Sequence, residues 1–326
     1  MRLAIVGCGD AGRTTAAASR LVTSCRITWT VDRNAPRAEL LARKVGARTS
    51  ADWRDLLSDS DLDAVYVALP NHLHGEVTAA AARAGKAVLI EKPLAQGVDA
   101  ARALLSGLPT DAKVAVNYQY RYEARAWALV EAVRRGELGE VRYVSVDVPW
   151  CRREEYYTES PWHGNAEQSG GGSLLVQGSH ALDLALCATD SDPVRVTART
   201  YQRGRSEIEV EDIAFGVVEC RSGVPIAFTS SACTCPERST TILVVGSAGT
   251  IVYRGFGRSR LRARGVRVRS RRVFTQLHSY VASLKAFSDW VDGGAPHRVP
   301  ASSALPVLQA VCGAYRSAES GRTEPC

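Results

Sequence analysis

Arg2-Leu3-Ala4-Ile5-Val6-Gly7-Cys8-Gly9-Asp10-Ala11-Gly12 opens the chain with a short apolar run and three glycines at fixed spacing. The run 2–6 reads as a strand, and the small residues from Thr14 to Leu21 read as a helix. Between them, Gly7 permits a tight turn, Gly9 lets a pyrophosphate approach the backbone, and Gly12 lets helix and strand pack closely. The helix N-terminus would turn its N–H groups and the positive end of its dipole toward phosphates. A second strand, Ile27 to Val31, ends on Asp32, 20 residues after Gly12. A carboxylate there accepts hydrogen bonds from the hydroxyls of an adenosine ribose. The pattern predicts dinucleotide binding. Asp32 repels a 2'-phosphate and favours NAD, whereas Arg33 either stays a solvated loop cation or swings in to accept that phosphate, which keeps NADP open.

Strands continue to alternate with helices up to about Asn117, as in a parallel doubly wound α/β sheet. Helices are expected over 38–45, 52–58, 76–84 and 98–105, and strands over 64–68, 87–90 and 113–116. Beyond a helix at about 125–135 the pattern changes to consecutive strands over 141–148, 194–201, 213–220, 225–230, 241–245 and 250–253. Two helices, 277–291 and 303–319, close the chain. The reading is an N-terminal dinucleotide-binding domain, 1–118, and an α+β domain with a large, mostly antiparallel open sheet, 119–326.

At 326 residues, 45% apolar and 23% charged, the chain has an ordinary globular composition. No apolar run reaches the ~18 residues of a membrane span. Met1 leads straight into the first strand, so no leader is expected and the location expected is cytoplasmic. Nine cysteines are scattered singly apart from Cys233-Thr-Cys235. They read as reduced, mostly core residues, with no metal site expected.

The net charge of +7 is local: nine arginines fall between Arg254 and Arg272, and without them the balance turns slightly negative. Leu261-Arg262-Ala263-Arg264 and Val266-Arg267-Val268-Arg269 alternate with period two, which places arginines on one face of a strand or hairpin. That face is a solvated edge, a phosphate-bearing substrate contact or a subunit contact. No nucleic-acid motif or aromatic platform accompanies it, so nucleic acid is not expected as a partner.

Several motifs, in order, carry a resemblance: Gly7 to Gly12, Leu69-Pro70-Asn71 with His74, Glu91-Lys92-Pro93, Gly170-Gly171-Gly172 with His180 and Asp183, and Val210-Glu211-Asp212. Together they resemble the Gfo/Idh/MocA oxidoreductases, the relatives of glucose-fructose oxidoreductase and inositol dehydrogenase. The resemblance implies a Rossmann domain, bound nicotinamide, and reversible oxidation of a secondary alcohol on a sugar or cyclitol. It implies that Pro70, Asn71, His74, Glu91 and Lys92 join Gly7, Gly9, Asp10, Ala11, Gly12, Asp32 and Arg33 around the cofactor, and that Lys92-Pro93 is cis. It further implies Gln119, Arg121, Trp162, His163, Gln177 and Asp183, with Lys92 and His180, as substrate contacts. A homodimer or homotetramer through the C-terminal sheet is implied as well. The segment 156–180 is similar to relatives acting on nucleotide-linked, amino or antibiotic sugars.

Hydride removal from a carbinol carbon also requires the hydroxyl proton to leave, so the site needs a base for oxidation and an acid for reduction. Lys92 suits stabilisation of the developing alkoxide and His180 suits proton exchange. Tyr156, Tyr157 and Trp162 either stack on a sugar face or pack between loop and sheet. One departure stands out. Many relatives carry Asp or Asn four residues before the histidine, and this chain has Val176. A keto-sugar reductase of the same fold, and a cofactor-binding regulatory protein without turnover, are the alternative readings.

Overall fold

A computed structural model describes residues 1–204, 207–255, 259–268 and 277–326. Apolar runs and glycine turns build the first part of the chain into β1 (Arg2–Val6), α1 (Asp10–Ser19), β2 (Arg26–Val31), α2 (Ala35–Val45), β3 (Arg48–Ser50), β4 (Ala64–Val67), α3 (His74–Arg83), β5 (Ala87–Ile90), α4 (Val98–Ser106) and β6 (Val114–Val116). The six strands form one sheet in the order β3-β2-β1-β4-β5-β6. Every pair in it is parallel. Strands β4, β5 and β6 are buried at every position, as continuous apolar strands covered on both faces must be. Helices α1 and α2 start earlier than the hydrophobic pattern indicates, because their first turns carry polar residues. Thus α1 begins at Asp10 rather than Thr14, and α2 begins after Asn34, whose side chain accepts from Arg37 N at 3.2 Å. The expected helix over 52–58 is only a 3₁₀ turn, Trp53–Leu56.

The second part runs through α5 (Ala124–Arg134), β7 (Val141–Pro149), the short helices α6 (Glu154–Thr158) and α7 (Ala166–Ser169), and α8 (Ser179–Thr189). It continues with β8 (Pro193–Tyr201), β9 (Ile213–Cys220), β10 (Pro225–Ser231), β11 (Thr240–Gly246), β12 (Thr250–Gly255) and β13 (Arg260–Arg264). After α9 (Leu277–Val291) and α10 (Leu305–Ser320), a short β14 (Glu324–Pro325) ends the chain. The eight strands order as β13-β12-β11-β7-β10-β9-β8-β14. All pairs are antiparallel except β7 with β10.

The chain divides into two compact units: Met1–Ala95, Asp99–Gln119 and Leu277–Ala304, and Gln96–Val98, Tyr120–Gln276 and Leu305–Cys326. After the short excursion Gln96–Val98, the chain passes into the second unit at Gln119/Tyr120; the sequence reading placed the division at 118/119. That reading also gave 277–304 to the second domain, but the segment belongs to the first unit. The reason is apolar: Leu284 and Phe287 of α9 are buried in one cluster with Leu3, Ile5, Cys25 and Tyr66.

Two further expectations need correction. Cys151 and Cys235 form a disulfide, with Cα atoms 5.1 Å apart, instead of remaining reduced. The pair is 84 residues apart in sequence, so only the fold brings it together. The arginine ribbon is partly a strand: Arg260, Arg262 and Arg264 are exposed along β13, while Arg267 follows it outside any strand. Arg258, Arg269, Arg271 and Arg272 lie outside the described residues. Among the described residues no helix is long and apolar enough to cross a membrane, and no group of His, Cys, Asp or Glu is arranged to hold a metal ion.

Candidate active site

In the first unit, Gly7 has φ +99°, and a side chain on it would overlap the Ala68 carbonyl. A side chain on Gly12 would overlap the Gly7 carbonyl. These contacts close the turn between β1 and α1. Gly9 differs: a Cβ there would meet nothing within 4 Å, so that side of the loop is open where a pyrophosphate would lie. Asp10 and Ala11 open α1, and Asp10 is paired with Arg13 on the surface. First-turn N–H groups have no intrahelical acceptor and suit an anion. Asp32 Oδ2 accepts from Cys8 N at 2.9 Å and Oδ1 from Asn34 N at 2.8 Å, which ties the end of β2 to the glycine loop. Arg33 is exposed beside it. These residues fit a dinucleotide with a free ribose 2'-hydroxyl.

Lys92 follows β5 and is half-buried; its bond to Pro93 is cis. Two buried groups hold that turn from behind. His74 is fully buried, with Nδ1 2.7 Å from the Pro93 carbonyl and Nε2 2.8 Å from the Leu69 carbonyl. Burial pulls its pKa down to about 4, against the opposing effect of the two carbonyls. Glu91 Oε1 accepts from Tyr66 Oη and from Asn117 Nδ2 at 2.8 Å. Asn117 Oδ1 in turn accepts from Ser283 Oγ at 2.8 Å, and Ser283 lies 3.3 Å from His297 Nε2. His74 and Glu91 are thus engaged with protein groups around the Lys92 turn, while Pro70 and Asn71 form the loop after β4. Tyr66, Asn117, Ser283 and His297 were not read from the sequence, because nothing local marks a buried polar chain. Gln119, at the end of this unit, is buried with Oε1 lacking a protein hydrogen-bond partner.

In the second unit, His180 is the second residue of α8 and is 6% exposed. Its ring meets Tyr120 edge-on at 5.0 Å. The helix is not regular before it: Leu174–Gly178 is a π-helical turn. The i, i+4 relation that would set position 176 directly above His180 therefore does not hold here. Arg121 and Asp183 form a buried bidentate ion pair, Nε to Oδ2 at 2.8 Å and Nη2 to Oδ1 at 2.5 Å. Gln177 is buried, its Nε2 3.4 Å from Tyr156 Oη. Tyr156 stacks on His163 at 3.9 Å, Trp162 leans on the same imidazole, and the Arg152 guanidinium lies over both Tyr156 and Trp150. Packing within this loop thus uses aromatic faces that the sequence offered to a sugar. Burial raises the Tyr156 pKa.

The missed residues here are Glu211 and Tyr315. Glu211 accepts from Gly172 N and Leu174 N, both at 2.8 Å, and from Tyr315 Oη at 3.0 Å. Burial pushes its carboxyl up to about 7 in spite of those bonds. The signal in the sequence was the Val210-Glu211-Asp212 motif, which carried no role.

Residues 1–119 match the model of the oxidoreductase family with an NAD-binding Rossmann fold, and residues 126–252 match the GFO/IDH/MocA C-terminal domain. The chain belongs to the Gfo/Idh/MocA oxidoreductase family, and its N-terminal domain is an NAD-binding Rossmann domain. It is 28% identical over 260 residues to 1,5-anhydro-D-fructose reductase of Ensifer adhaerens, covering 78% of this chain and 75% of that one. It is 34% identical over 147 residues to dTDP-3,4-didehydro-2,6-dideoxy-alpha-D-glucose 3-reductase of Streptomyces violaceoruber, covering 44% and 43%. The crystal structure of aldose-aldose oxidoreductase from Caulobacter crescentus, complexed with glycerol, superposes with TM-score 0.86 at 26% identity, covering 100% of this chain and 99% of that one.

Proposed function

We propose that this protein interconverts a secondary alcohol and a ketone on a sugar or cyclitol, with NAD as the preferred partner and NADP as the alternative. The observation that carries the reading is the Lys92-Pro93 turn braced by His74 and Glu91, in a chain whose glycine loop and Asp32 fit a dinucleotide. When bound, the nicotinamide supplies the hydride acceptor or donor. Gly7, Gly9, Asp10, Ala11 and Gly12 bind the pyrophosphate, and Asp32 binds the ribose, with Arg33 at its edge. Pro70 and Asn71 line the cofactor loop, with His74 and Glu91 behind it. Lys92 hydrogen-bonds the reacting oxygen and stabilises negative charge on it. His180 takes the hydroxyl proton in oxidation and returns it in reduction. Gln119, Gln177, Trp162 and His163 supply the remaining substrate contacts. Arg121 and Asp183 contribute as a pair, since each neutralises the other.

Two of the relatives are reductases, which favours the keto-sugar reductase direction as a second reading. The dTDP-sugar enzyme among them supports a nucleotide-linked substrate. The reading includes a homodimer or homotetramer through the outer face of the C-terminal sheet, where Tyr143, Tyr201, Phe215 and Val217 are 40–45% exposed. The location proposed is cytoplasmic. The test is absorbance of the reduced nicotinamide with purified protein and a panel of sugars, cyclitols, nucleotide sugars and their keto forms, run in both directions. Turnover on none of them, with dinucleotide still bound, would leave a binding protein instead of an enzyme.

A further inference from the structure

A helix that starts at the glycine triplet leaves its first backbone N–H groups without intrahelical acceptors. Such groups are usually satisfied by a Ser, Thr, Asp or Asn side chain at the cap. Ser173 stands at that place but makes no side-chain cap bond; its hydroxyl pairs with Ser230 Oγ at 2.7 Å. Instead, four consecutive N–H groups are taken up from elsewhere. Gly172 N donates to Glu211 Oε2 and Leu174 N to Glu211 Oε1, both at 2.8 Å. Ser173 N donates to the Glu211 carbonyl at 3.0 Å, and Leu175 N to Tyr315 Oη at 3.2 Å. Tyr315 then donates its own proton to Glu211 Oε1 at 3.0 Å. The acceptors are 37 to 140 residues away in sequence, in the connection before β9 and on α10.

The glycines fit this arrangement closely. A methyl group on Gly172 would overlap the Glu211 carbonyl, and one on Gly171 would overlap the Tyr315 hydroxyl. Gly171 and Gly172 therefore serve close approach of this cap to the backbone.

We propose that Glu211 and Tyr315 are positioning residues for His180: together they form a cap from outside the helix that fixes where the turn Gly172–Leu175 begins and so where the imidazole of α8 points. This rests on the reading of His180 as the proton carrier. All the groups aimed at the carboxylate are donors, and its two oxygens accept from Gly172 N, Leu174 N and Tyr315 Oη. Tyr315 faces Glu211, and Cys312, on α10 with Tyr315, lies close enough to act on the Tyr315 hydroxyl. The Asp212 carboxylate is turned away, accepting from Arg203 N and Gly204 N.

The test uses the full chain and three readouts: amide hydrogen exchange across 172–176, the NMR titration of His180 with labelled histidine, and kcat against KM for the dinucleotide. In Tyr315→Phe, exchange at Leu175 should rise on the order of 10-fold, the loss expected from one hydrogen bond. The His180 titration should shift, and kcat should fall on the order of 10-fold or more with the dinucleotide KM unchanged. Glu211→Gln, which keeps one acceptor oxygen, should lose less than Glu211→Ala. Unchanged exchange in Tyr315→Phe would overturn the cap, and faster exchange with an unmoved His180 titration would overturn the positioning role. His180→Asn separates the two readings: if it keeps full turnover, His180 is not the proton carrier, and the exchange and titration data alone then decide whether the cap exists and orients the ring.

Discussion

Asp183→Ala tests whether Arg121 and Asp183 act as one buried unit or as independent substrate contacts. The side chains are 8% and 2% exposed, and two charge-assisted bonds of 2.8 and 2.5 Å join them. Removing the carboxylate leaves a guanidinium buried without its counter-charge, which costs about 3–5 kcal/mol; an exposed pair would be worth about 0–1 kcal/mol. For a unit of this size each kcal/mol moves the melting temperature by about 2–4 °C, so a drop of about 6–20 °C is expected. Circular dichroism melts of wild type, Asp183→Ala and the double variant Arg121→Met with Asp183→Leu make the comparison. The double variant should recover most of the loss, because it buries no charge. A melting temperature for Asp183→Ala within about 2 °C of wild type would refute the buried-unit argument. If the KM for substrate rose many-fold in that case, the carboxylate would be a substrate ligand in its own right.

Lys92→Met should lower turnover at least ~10²-fold while dinucleotide affinity, read by fluorescence titration, stays near wild type; retention of more than about a tenth of the rate would remove Lys92 from the chemistry. Asp32→Ser should narrow or reverse the preference for NAD over NADP, and should also weaken NAD, since Asp32 Oδ2 holds Cys8 N. Tighter binding of NADP by the wild type would instead give Arg33 control of the pocket. For Glu211 the folded-state pKa is raised from 4.5 to about 7. The folded chain thus binds the proton more tightly than the unfolded chain, and the group's contribution to stability falls as pH rises through that window. Denaturant midpoints should show this slope in wild type and not in Glu211→Gln; a slope of opposite sign would contradict the burial argument. Neutralising Arg262 and Arg264 on β13 should alter sedimentation if the outer sheet face joins subunits, and an unchanged profile leaves a solvated edge.

The sequence by itself determined the elements whose causes are local. The turn at Gly7 needs a left-handed backbone and Gly12 a close approach, and both requirements are written in residue type. Continuous apolar runs announced β4 and β5, and period-two alternation announced the exposed arginines of β13. Ordered motifs were enough to name the family and to single out Lys92 and His180. Their surroundings were a tertiary matter. The return of α9 to the first unit, the chain of polar groups from Glu91 through Asn117 to Ser283, the Cys151–Cys235 bond, and the cap of Glu211 and Tyr315 all join residues far apart in sequence. Each such contact is decided by which surfaces the fold buries against one another, because a buried polar group must find its partner wherever the chain brings one. Residue type and spacing therefore nominated the side chains proposed for the chemistry, and only the packed structure disclosed what surrounds them.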